Sequence, residues 1–298
     1  MNRIGVVINP AAGSGRAVTI WEALRRGDSR LTAVPVVQTP DPRQARTALA
    51  ALITRDIDTL IVLGGDGSLA LVANVLLEAG RGQTVAIAPL PVGTGSDFGR
   101  HLGLPPDPSV CLQRIFVAQP KPIDALEVRT DDGRRCFALN VVSAGISGLV
   151  DEAVNARARS GKAAYLLATL GALARYHAVA CRLWVDDAPW YEGDIFLVAV
   201  ANGSSFGRGM RIAPEARCDD GAADVVLVGP VPRWQLLVRL PQIYRGSHLH
   251  NRQVRWRRGV SVRLEPREKF PPFDVDGEVF DAAAARITLL PAALKVLA

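Results

Sequence analysis

Three glycine-rich segments in the first third of the sequence have the composition of phosphate-binding loops. NPAAGSGR spans 9–16, GGDGS spans 64–68 and PVGTGSDFGR spans 91–100. Glycine lets the backbone approach a ligand closely, and the N–H groups at the start of a helix attract anions. The first segment contains no Gly-Lys-Ser/Thr triplet, so it is not a Walker A loop. Taken alone, it fits an ordinary strand-to-helix turn equally well.

The second segment is the most specific of the three. Asp66 lies among Gly64, Gly65 and Gly67 and is followed closely by Ser68. Such a loop offers several N–H groups to a polyphosphate, while the Asp66 carboxylate would hold Mg²⁺ or orient the phosphates. A turn with a purely structural role does not need this combination, so the segment favours a nucleotide site.

In the third segment, Thr94 and Asp97 are expected to face the same crevice as the first two loops. Each segment follows a predicted strand, and the ligands of parallel sheets bind at the carboxyl ends of the strands. A connector rich in Pro and Gly is the alternative for this segment alone. Three such loops in succession favour a shared functional site.

Two acidic turns later in the chain are candidates for metal binding and proton transfer. Asp219 and Asp220 lie in CDDGA, where carboxylate and main-chain oxygens can converge on a hard cation. Asp276 and Glu278 lie in FDVDGEVF, where a carboxylate can take the proton from an attacking hydroxyl. A solvated Asp-Gly turn explains the first segment equally well, and a hairpin turn the second.

The elements that must position the first three loops alternate between strands and helices. The predicted strands are Ile4–Ile8, Val34–Val37, Leu60–Leu63 and Val85–Ala88, and the predicted helices are Arg16–Arg26, Arg43–Thr54, Leu69–Ala79 and Ser109–Ala118. This alternation predicts a parallel sheet covered by helices on both faces.

After QPKPID the pattern changes to strands with few helices, which predicts an antiparallel second domain. We therefore divide the chain into an α/β domain, 1–122, and a β-rich domain, 123–298, whose last strand could return to the first. The predicted strands are Ala125–Arg129, Phe137–Val142, Cys181–Val185, Ile195–Ala201 and Arg286–Leu290, and the predicted helices are Val150–Tyr176 and Arg233–Tyr244.

The composition is that of a folded, mildly basic protein. The net charge of +6 and the pI near 9.5 suit an anionic membrane, a nucleotide or nucleic acid without choosing among them. Four arginines surround Trp256 in NRQVRWRRG, which fits either a surface for lipid headgroups or phosphates, or the polar face of an exposed strand. These are Arg252, Arg255, Arg257 and Arg258.

The four cysteines form no C-x-x-C pair, which fits a reducing cytoplasm.

The motifs together resemble the diacylglycerol kinase catalytic-domain family, which includes bacterial lipid kinases and the sphingosine and ceramide kinases. The resemblance runs in order through NPAAG, GGDGS, PVGTGSDFGR, NVVSAGISGLVDEAV, GKAAY, FGRGMRIAPEARCDDGAADV and DGE. It implies an α/β nucleotide-binding domain resembling that of NAD kinases, a β-sandwich domain, ATP and Mg²⁺. It also implies a lipid alcohol as acceptor, and hence peripheral contact with a membrane.

The resemblance assigns roles to matching positions. The implied ATP contacts are Asn9, Pro10, Ala11, Ala12, Gly13, Thr39, Gly64, Gly65, Asp66, Gly67, Ser68, Leu69, Ala70 and Thr94. Glu278 matches the proton acceptor, with Asp276 beside it, and Asp97 would orient the metal or the substrate. The implied structural Mg²⁺ site combines the main-chain oxygens of Arg217 and Ala222 with the Asp220 carboxylate.

The sequence also departs from the family pattern. Ser68 replaces the usual Thr after GGDG, and Ser96 replaces the usual Asn before Asp97. Ala70 and Ala73 stand where polar or acidic residues are frequent. These changes concern the acceptor and the catalytic rate more than the fold.

Alternative functions are open at this point. An NAD kinase would share the GGDG loop and act on a soluble acceptor, and a nucleotide- or lipid-binding regulator would bind without turnover. A nucleic-acid-binding module is less consistent with the sequence, since no stacking platform accompanies the basic residues. The apolar stretch 165–173 is either a wall for acyl chains or a buried core helix. The acceptor lipid is not readable from the sequence, and a homodimer is plausible on general grounds only.

Overall fold

The computed structural model describes residues 3–92, 96–155, 171, 176–267 and 272–298. The chain divides into two compact units. The first contains Met1–Asp124 and Ala292–Ala298, and the second contains Ala125–Pro291.

The first unit is built from alternating strands and helices. Its strands are β1 (Ile4–Ile8), β2 (Val36–Gln38), β3 (Thr59–Gly64) and β4 (Ala86–Pro91). Its helices are α1 (Ala12–Gly15), α2 (Ala17–Gly27), α3 (Pro42–Leu52), α4 (Asp66–Glu78), α5 (Asp97–His101) and α6 (Pro108–Val117), with a short 3₁₀ turn at Ser29–Leu31.

The strands of the first unit pair in parallel in the order β2-β1-β3-β4. Lys295 and Val296, at the end of the chain, add a further parallel pairing beside β4. Strands β1, β3 and β4 are apolar and buried along nearly their whole length, as parallel strands covered on both faces must be, whereas β2 at the edge of the sheet is partly exposed. Trp21 of α2 and Ile115 of α6 pack on one face of the sheet, and Leu52 of α3 closes over Gly5 on the other.

The second unit consists mainly of strands. They are β5 (Lys121–Thr130), β6 (Arg135–Ala138), β7 (Val141–Gly145), β8 (Val179–Val185), β9 (Ala188–Ile195), β10 (Leu197–Ala201), β11 (Ala223–Val228), β12 (Val254–Gly259), β13 (Ser261–Pro266), β14 (Phe273–Val275), β15 (Glu278–Phe280) and β16 (Ala285–Val296). Among its described residues, helices are formed by α7 (Ile146–Asn155) and α8 (Arg233–Arg245), with a 3₁₀ turn at Ser247–His250.

Two sheets of the second unit enclose a common core. One contains β16-β13-β8-β9, with β5 and β6 beside β16, and the other has the order β12-β11-β10-β7-β14-β15. Leu183 and Ile287 of the first sheet pack with Val200 and Val225 of the second in one buried cluster. This is a β-sandwich, and the predicted fold class is confirmed. The outer face of the second sheet is covered by α7 and α8, which bury a separate apolar cluster.

The structure corrects several predicted boundaries. The strand predicted at 137–142 is two strands, because the N–H groups of Leu139 and Asn140 donate to the Asp276 carboxylate instead of continuing a sheet. Helix α4 begins at Asp66 rather than Leu69, and α5 was not predicted. Of the helix predicted over 150–176, only the part included in α7, residue 171 and Tyr176 fall within the described residues, and the apolar stretch 165–173 lies almost wholly outside them.

Within the described residues, no helix combines the length and the apolar character that crossing a bilayer requires.

Candidate active site

The carboxyl ends of four parallel strands meet at one edge of the first unit. Ile8 pairs with both Gln38 and Leu63, and Gly64 pairs with Pro91. The residues that follow these strands are therefore neighbours along the edge. Asn9, Thr39 and Gly65 are brought together in this way, as the sequence predicted for the loop segments.

The loop after β1 has an unusual backbone. Gly13, Ser14 and Gly15 are all in the left-handed region, with φ of 60°, 60° and 85°. The Asn9 side chain accepts a hydrogen bond from the Ala11 N–H (3.0 Å), which closes the turn that also contains Pro10 and Ala12. A β-carbon on Gly13 would lie 2.0 Å from the Val92 carbonyl oxygen, so no other residue fits there without displacing the loop.

Helix α4 begins with the sequence DGS and has no side-chain cap. Its N-cap residue is Gly65, so the free N–H groups of the first turn are available to an anion. A β-carbon on Gly64 would lie 2.2 Å from Ser68 Oγ, which explains the glycine there. Leu69 and Ala70 are buried in the core, so these two positions offer a ligand only their main chain.

The Asp66 carboxylate holds the start of α5. It accepts hydrogen bonds from Ser96 Oγ (2.9 Å), from the Asp97 N–H (2.8 Å) and from the Phe98 N–H (3.1 Å). Ser96 is itself the N-cap of α5 and accepts from the Gly99 N–H (2.9 Å). Burial raises the pKa of Asp66 above its ordinary value, against the lowering effect of these donors. The predicted ligand residue is therefore also an anchor for the neighbouring loop.

The other predicted residues of the first unit are placed as follows. The Asp97 side chain is buried and forms an ion pair with Arg100. Thr39 is half-buried. Its Oγ1 donates a hydrogen bond to Gln44 Oε1 (3.2 Å) and accepts one from the Asp41 N–H (3.2 Å). Thr94 lies outside the described residues.

In the second unit, the segment DVDGE forms the β14–β15 hairpin with Asp276 and Gly277 at its turn. Both turn residues have positive φ, 51° and 91°, as a two-residue hairpin of this kind requires. The Asp276 carboxylate accepts hydrogen bonds from the N–H groups of Leu139 (2.6 Å), Asn140 (3.1 Å) and Val141 (2.9 Å). Asp276 thus fixes the segment that precedes β7.

Glu278 differs from its acidic neighbours. Its side chain is exposed, and within the described part of the chain it forms no hydrogen bond or ion pair. Asp274 is buried and accepts hydrogen bonds from Ser143 Oγ (2.9 Å) and the Gly277 N–H (2.7 Å). Of the three carboxylates in this hairpin, Glu278 is the one presented outward for chemistry.

Burial and the nearby Asp274 carboxylate raise the pKa of Asp276 to about 7, although its three N–H donors favour the charged form. The native protein therefore binds a proton that the unfolded chain releases between pH 3.8 and about 7. Stability is expected to fall as pH rises through this window, by at most about 1.4 kcal/mol per pH unit from this group.

Asp276→Asn should accordingly flatten the pH dependence of the free energy of unfolding, measured by urea titration at several pH values. Asp281→Asn, at an exposed position of the same region, is the control and should keep the wild-type slope. An unchanged slope in Asp276→Asn would contradict the assignment of this proton to Asp276.

The predicted cation site lies in the loop before β11. The Asp220 carboxylate accepts a hydrogen bond from the Ala222 N–H (3.3 Å) and forms an ion pair with Arg258. The Arg217 side chain pairs with Asp219 (3.1 Å). Across the residues that the structure describes, no three His, Cys, Asp or Glu side chains are grouped as metal ligands. A site of one carboxylate and two main-chain oxygens does not require such a group.

The charges around this loop are compatible with a hard cation. Asp224 is buried, and its carboxylate accepts a hydrogen bond from Trp256 Nε1 (2.7 Å). Burial raises the pKa of Asp224, against the lowering effect of the Trp256 hydrogen bond and the Arg258 charge, and the charges of Asp220 and Glu215 add to the rise. The Asp220 carboxylate and main-chain oxygens are ligand types that a hard cation accepts, so the residues fit the predicted ion.

Three functional candidates were missed by sequence reasoning. Ser143 Oγ lies 2.8 Å from Ser147 Oγ and donates to Asp274, so the three form a buried polar chain. The serines are four residues apart in NVVSAGISG, a spacing that puts them together only because α7 begins at Ile146. Asp274 lies in FDVDGEVF, the segment in which the sequence pattern singled out Asp276 and Glu278.

The comparisons with known proteins cover the whole chain. The diacylglycerol kinase catalytic domain family matches residues 3–128, and the YegS C-terminal NAD kinase beta sandwich-like domain family matches residues 140–298. A diacylglycerol kinase of Mycobacterium tuberculosis is 30% identical over 302 residues, which cover 100% of this chain and 95% of that protein. A YegS-like lipid kinase of Pseudomonas aeruginosa is 30% identical over 297 residues, covering 99% and 94%.

Solved structures share the fold. A crystal structure named as a diacylglycerol kinase from Bacillus anthracis str. Sterne superposes with a TM-score of 0.77 at 22% identity, covering 99% of this chain and 96% of that one. The matching family and the relatives define a kinase, that is, a phosphotransferase. The chain belongs to the diacylglycerol kinase family, together with the YegS-like lipid kinases.

Proposed function

We propose that this protein transfers the γ-phosphate of ATP to the hydroxyl group of a membrane lipid such as diacylglycerol. The observation that carries the proposal is the hairpin of the second unit, which presents the exposed Glu278 carboxylate and packs against a helix that lines an apolar cavity. An acidic proton acceptor beside an apolar cavity is what phosphorylation of a lipid alcohol needs.

The cavity lies between the second sheet and helices α7 and α8 and has a volume of about 120 Å³. Its walls are almost entirely apolar and include Ile146 and Val150 of α7 and Leu236, Leu240 and Ile243 of α8. Ser147 is its polar residue, and the chain through Ser143 joins it to Asp274 on the hairpin. We infer that the cavity takes part of an acyl chain and that Ser147 marks its polar end.

The first unit would supply the donor site. The uncapped start of α4 and the loop over 9–16 offer N–H groups to the ATP phosphates, and Gly13 and Gly64 have no room for a side chain. Asp66 and Ser96 would keep the adjoining loop in position through their hydrogen bonds. The main-chain oxygens of Arg217 and Ala222, with the Asp220 carboxylate, would hold a structural Mg²⁺.

In the transfer itself, the attacking oxygen is the lipid hydroxyl and Glu278 accepts its proton. Phosphoryl transfer depends mainly on positioning and charge neutralisation, so the fixed hairpin matters as much as the carboxylate. Mg²⁺ bound with ATP supplies neutralisation of the phosphate charge. Asp274 and Asp276 act by holding the hairpin in place, through Ser143 and through the N–H groups at 139–141.

The test is transfer of labelled γ-phosphate from ATP and Mg²⁺ to a panel of lipid alcohols in mixed micelles, with NAD included as a soluble acceptor. Label in one lipid would support the proposal and name the acceptor. Label in NAD alone would replace the lipid by a soluble substrate. ATP binding without transfer to any member of the panel would favour a binding regulator.

The cavity makes a prediction about chain length. Leu240→Trp should fill the cavity and raise the KM for long-chain diacylglycerol roughly tenfold while changing the KM for ATP little, since a large side chain replaces lipid volume. Leu240→Ala is the matched variant at the same position and should shift preference towards bulkier acyl chains. If both variants keep the wild-type dependence on chain length, the acyl chain binds elsewhere.

A further inference from the structure

Helix α8 is apolar on two opposite faces. Its inward face presents Leu236, Leu240 and Ile243 to the cavity. At helical spacing the opposite side carries Trp234, Val238, Pro241 and Arg245, which we call the outer ridge. Trp234 is 65% exposed and Val238 is 71% exposed. A surface helix normally places polar residues where this helix has Trp and Val.

A second exposed aromatic residue continues this surface. Trp256 of β12 is 45% exposed and pairs with Val226, a member of the cluster that the helices cover, so its side chain lies on the same face of the sheet as α8. The helix is fixed beside β12 by Arg239, which donates to Gln253 (2.9 Å), and by Asn251, which donates to Gln242 (2.8 Å).

The surroundings of these apolar residues are basic. Arg245 ends α8 and Arg252 lies in the turn before β12, and both side chains are exposed. Arg258 is exposed on the same face of β12 as Trp256 and pairs with Asp220. Apolar side chains bordered by arginines match the chemistry of an anionic bilayer surface, where Trp occupies the headgroup level and Arg contacts phosphate. Each cation near such a surface adds attraction that salt weakens.

We propose that the outer ridge, together with Trp256, docks onto an anionic lipid bilayer. Trp234 and Val238 enter the boundary between headgroups and acyl chains, and Arg245 and Arg252 contact lipid phosphates. This inference rests on the proposed function, because a bilayer at the outer ridge would lie one helix away from the cavity meant for the acyl chain. It goes beyond that function in naming the surface that meets the membrane.

A bilayer fits this surface better than a nucleic acid or a protein. The ridge is apolar at its centre, and contacts to a phosphate backbone would not require exposed Val and Trp at helical spacing. The exposed Arg245 and Arg252, beside a helix that contains no acidic residue, favour a partner of uniform negative charge over a protein with mixed charges.

The experiment is co-sedimentation of the full chain with vesicles of phosphatidylcholine alone and of equal parts phosphatidylcholine and phosphatidylglycerol. Wild type should bind the anionic vesicles more tightly, and less so as salt is added. Trp234→Ser combined with Val238→Ser should lower the partition coefficient by about tenfold or more, because both apolar side chains are withdrawn from the interface. Val110→Ser with Val117→Ser on α6, at positions 49% and 80% exposed, is the matched control and should bind like wild type.

The charge contribution is tested separately. Arg245→Gln with Arg252→Gln should reduce the preference for phosphatidylglycerol, whereas Arg25→Gln with Arg26→Gln on α2 should not. Thermal unfolding of each variant checks that the fold is kept, as expected for exposed positions. Equal vesicle binding by wild type and the Trp234/Val238 variant, or no vesicle binding by wild type, would overturn the proposal. Binding of an RNA oligonucleotide that only the arginine variant loses, without vesicle binding, would replace the bilayer by nucleic acid.

Failure of this inference is distinguishable from failure of the proposed function. Phosphate transfer by wild type to a short-chain diacylglycerol, dissolved as monomers, needs no vesicle. If that transfer occurs while docking fails, the kinase assignment stands and the membrane surface lies elsewhere. If vesicles are bound through the outer ridge but no alcohol is phosphorylated, the docking surface stands and the kinase assignment falls.

Discussion

Glu278→Gln is expected to reduce phosphate transfer to the acceptor lipid by about a hundredfold to ten-thousandfold, the usual range for loss of a general base. The substitution keeps the size of the side chain and removes its ability to accept a proton. The loss should appear in kcat, with the KM for ATP nearly unchanged, because the hairpin that carries Glu278 belongs to the second unit. The measurement is steady-state transfer of labelled phosphate at saturating ATP.

The neighbouring acids provide the controls. Asp281→Asn removes an exposed carboxylate three residues further along and should leave kcat at the wild-type value. Asp276→Asn should lower activity together with stability, since it weakens the anchoring of 139–141 rather than proton transfer. A Glu278→Gln protein with wild-type kcat would contradict the assignment of the base and direct attention to another acceptor.

The fold class follows from the sequence because the signals that define it are local. Buried strands such as Thr59–Gly64 are short apolar runs that end in glycine, and the helices between them begin at recognisable turns. The structure confirms the parallel sheet and the sandwich. It differs at boundaries, as with α4, where the loop glycines conceal a helix start at Asp66.

The parts that sequence reasoning missed depend on contacts between distant segments. The strand predicted over 137–142 breaks because Asp276, far along the chain, takes the N–H groups at the break. Ser96 stood out only as a departure from the family pattern, although it caps α5 and binds Asp66. The apolar cavity is lined by residues of α7, of α8 and of neighbouring strands, so no single segment of the sequence predicts it.

The candidate site, like the fold, could be predicted from the sequence only in part. Sequence reasoning singled out Asp276 and Glu278 as a pair, and both remain assigned to the site as a proposal. The sequence alone does not show how these two residues differ. The Asp276 carboxylate accepts hydrogen bonds from main-chain N–H groups, whereas the Glu278 carboxylate is exposed. That difference comes from the register of the β14–β15 hairpin against β7, which only the folded chain defines.

Gly13→Ala is expected to reduce phosphate transfer from ATP about a hundredfold, the scale of loss when a site moves by about 1 Å. Its β-carbon would lie 2.0 Å from the Val92 carbonyl oxygen, so the loop over 9–16 must shift away from the end of β4. We expect a higher KM for ATP and weaker stabilisation against thermal unfolding by ATP, with the lipid KM unchanged.

Gly15→Ala separates this clash from backbone strain. Gly15 also has a positive φ, 85°, but a β-carbon there meets no atom within 4 Å. Its substitution carries only the cost of a left-handed alanine, about 1–2 kcal/mol of stability, and should leave the ATP KM close to that of wild type. If Gly13→Ala and Gly15→Ala impair ATP use equally, strain rather than the close approach to Val92 limits the loop. If neither impairs it, the loop does not bind the nucleotide.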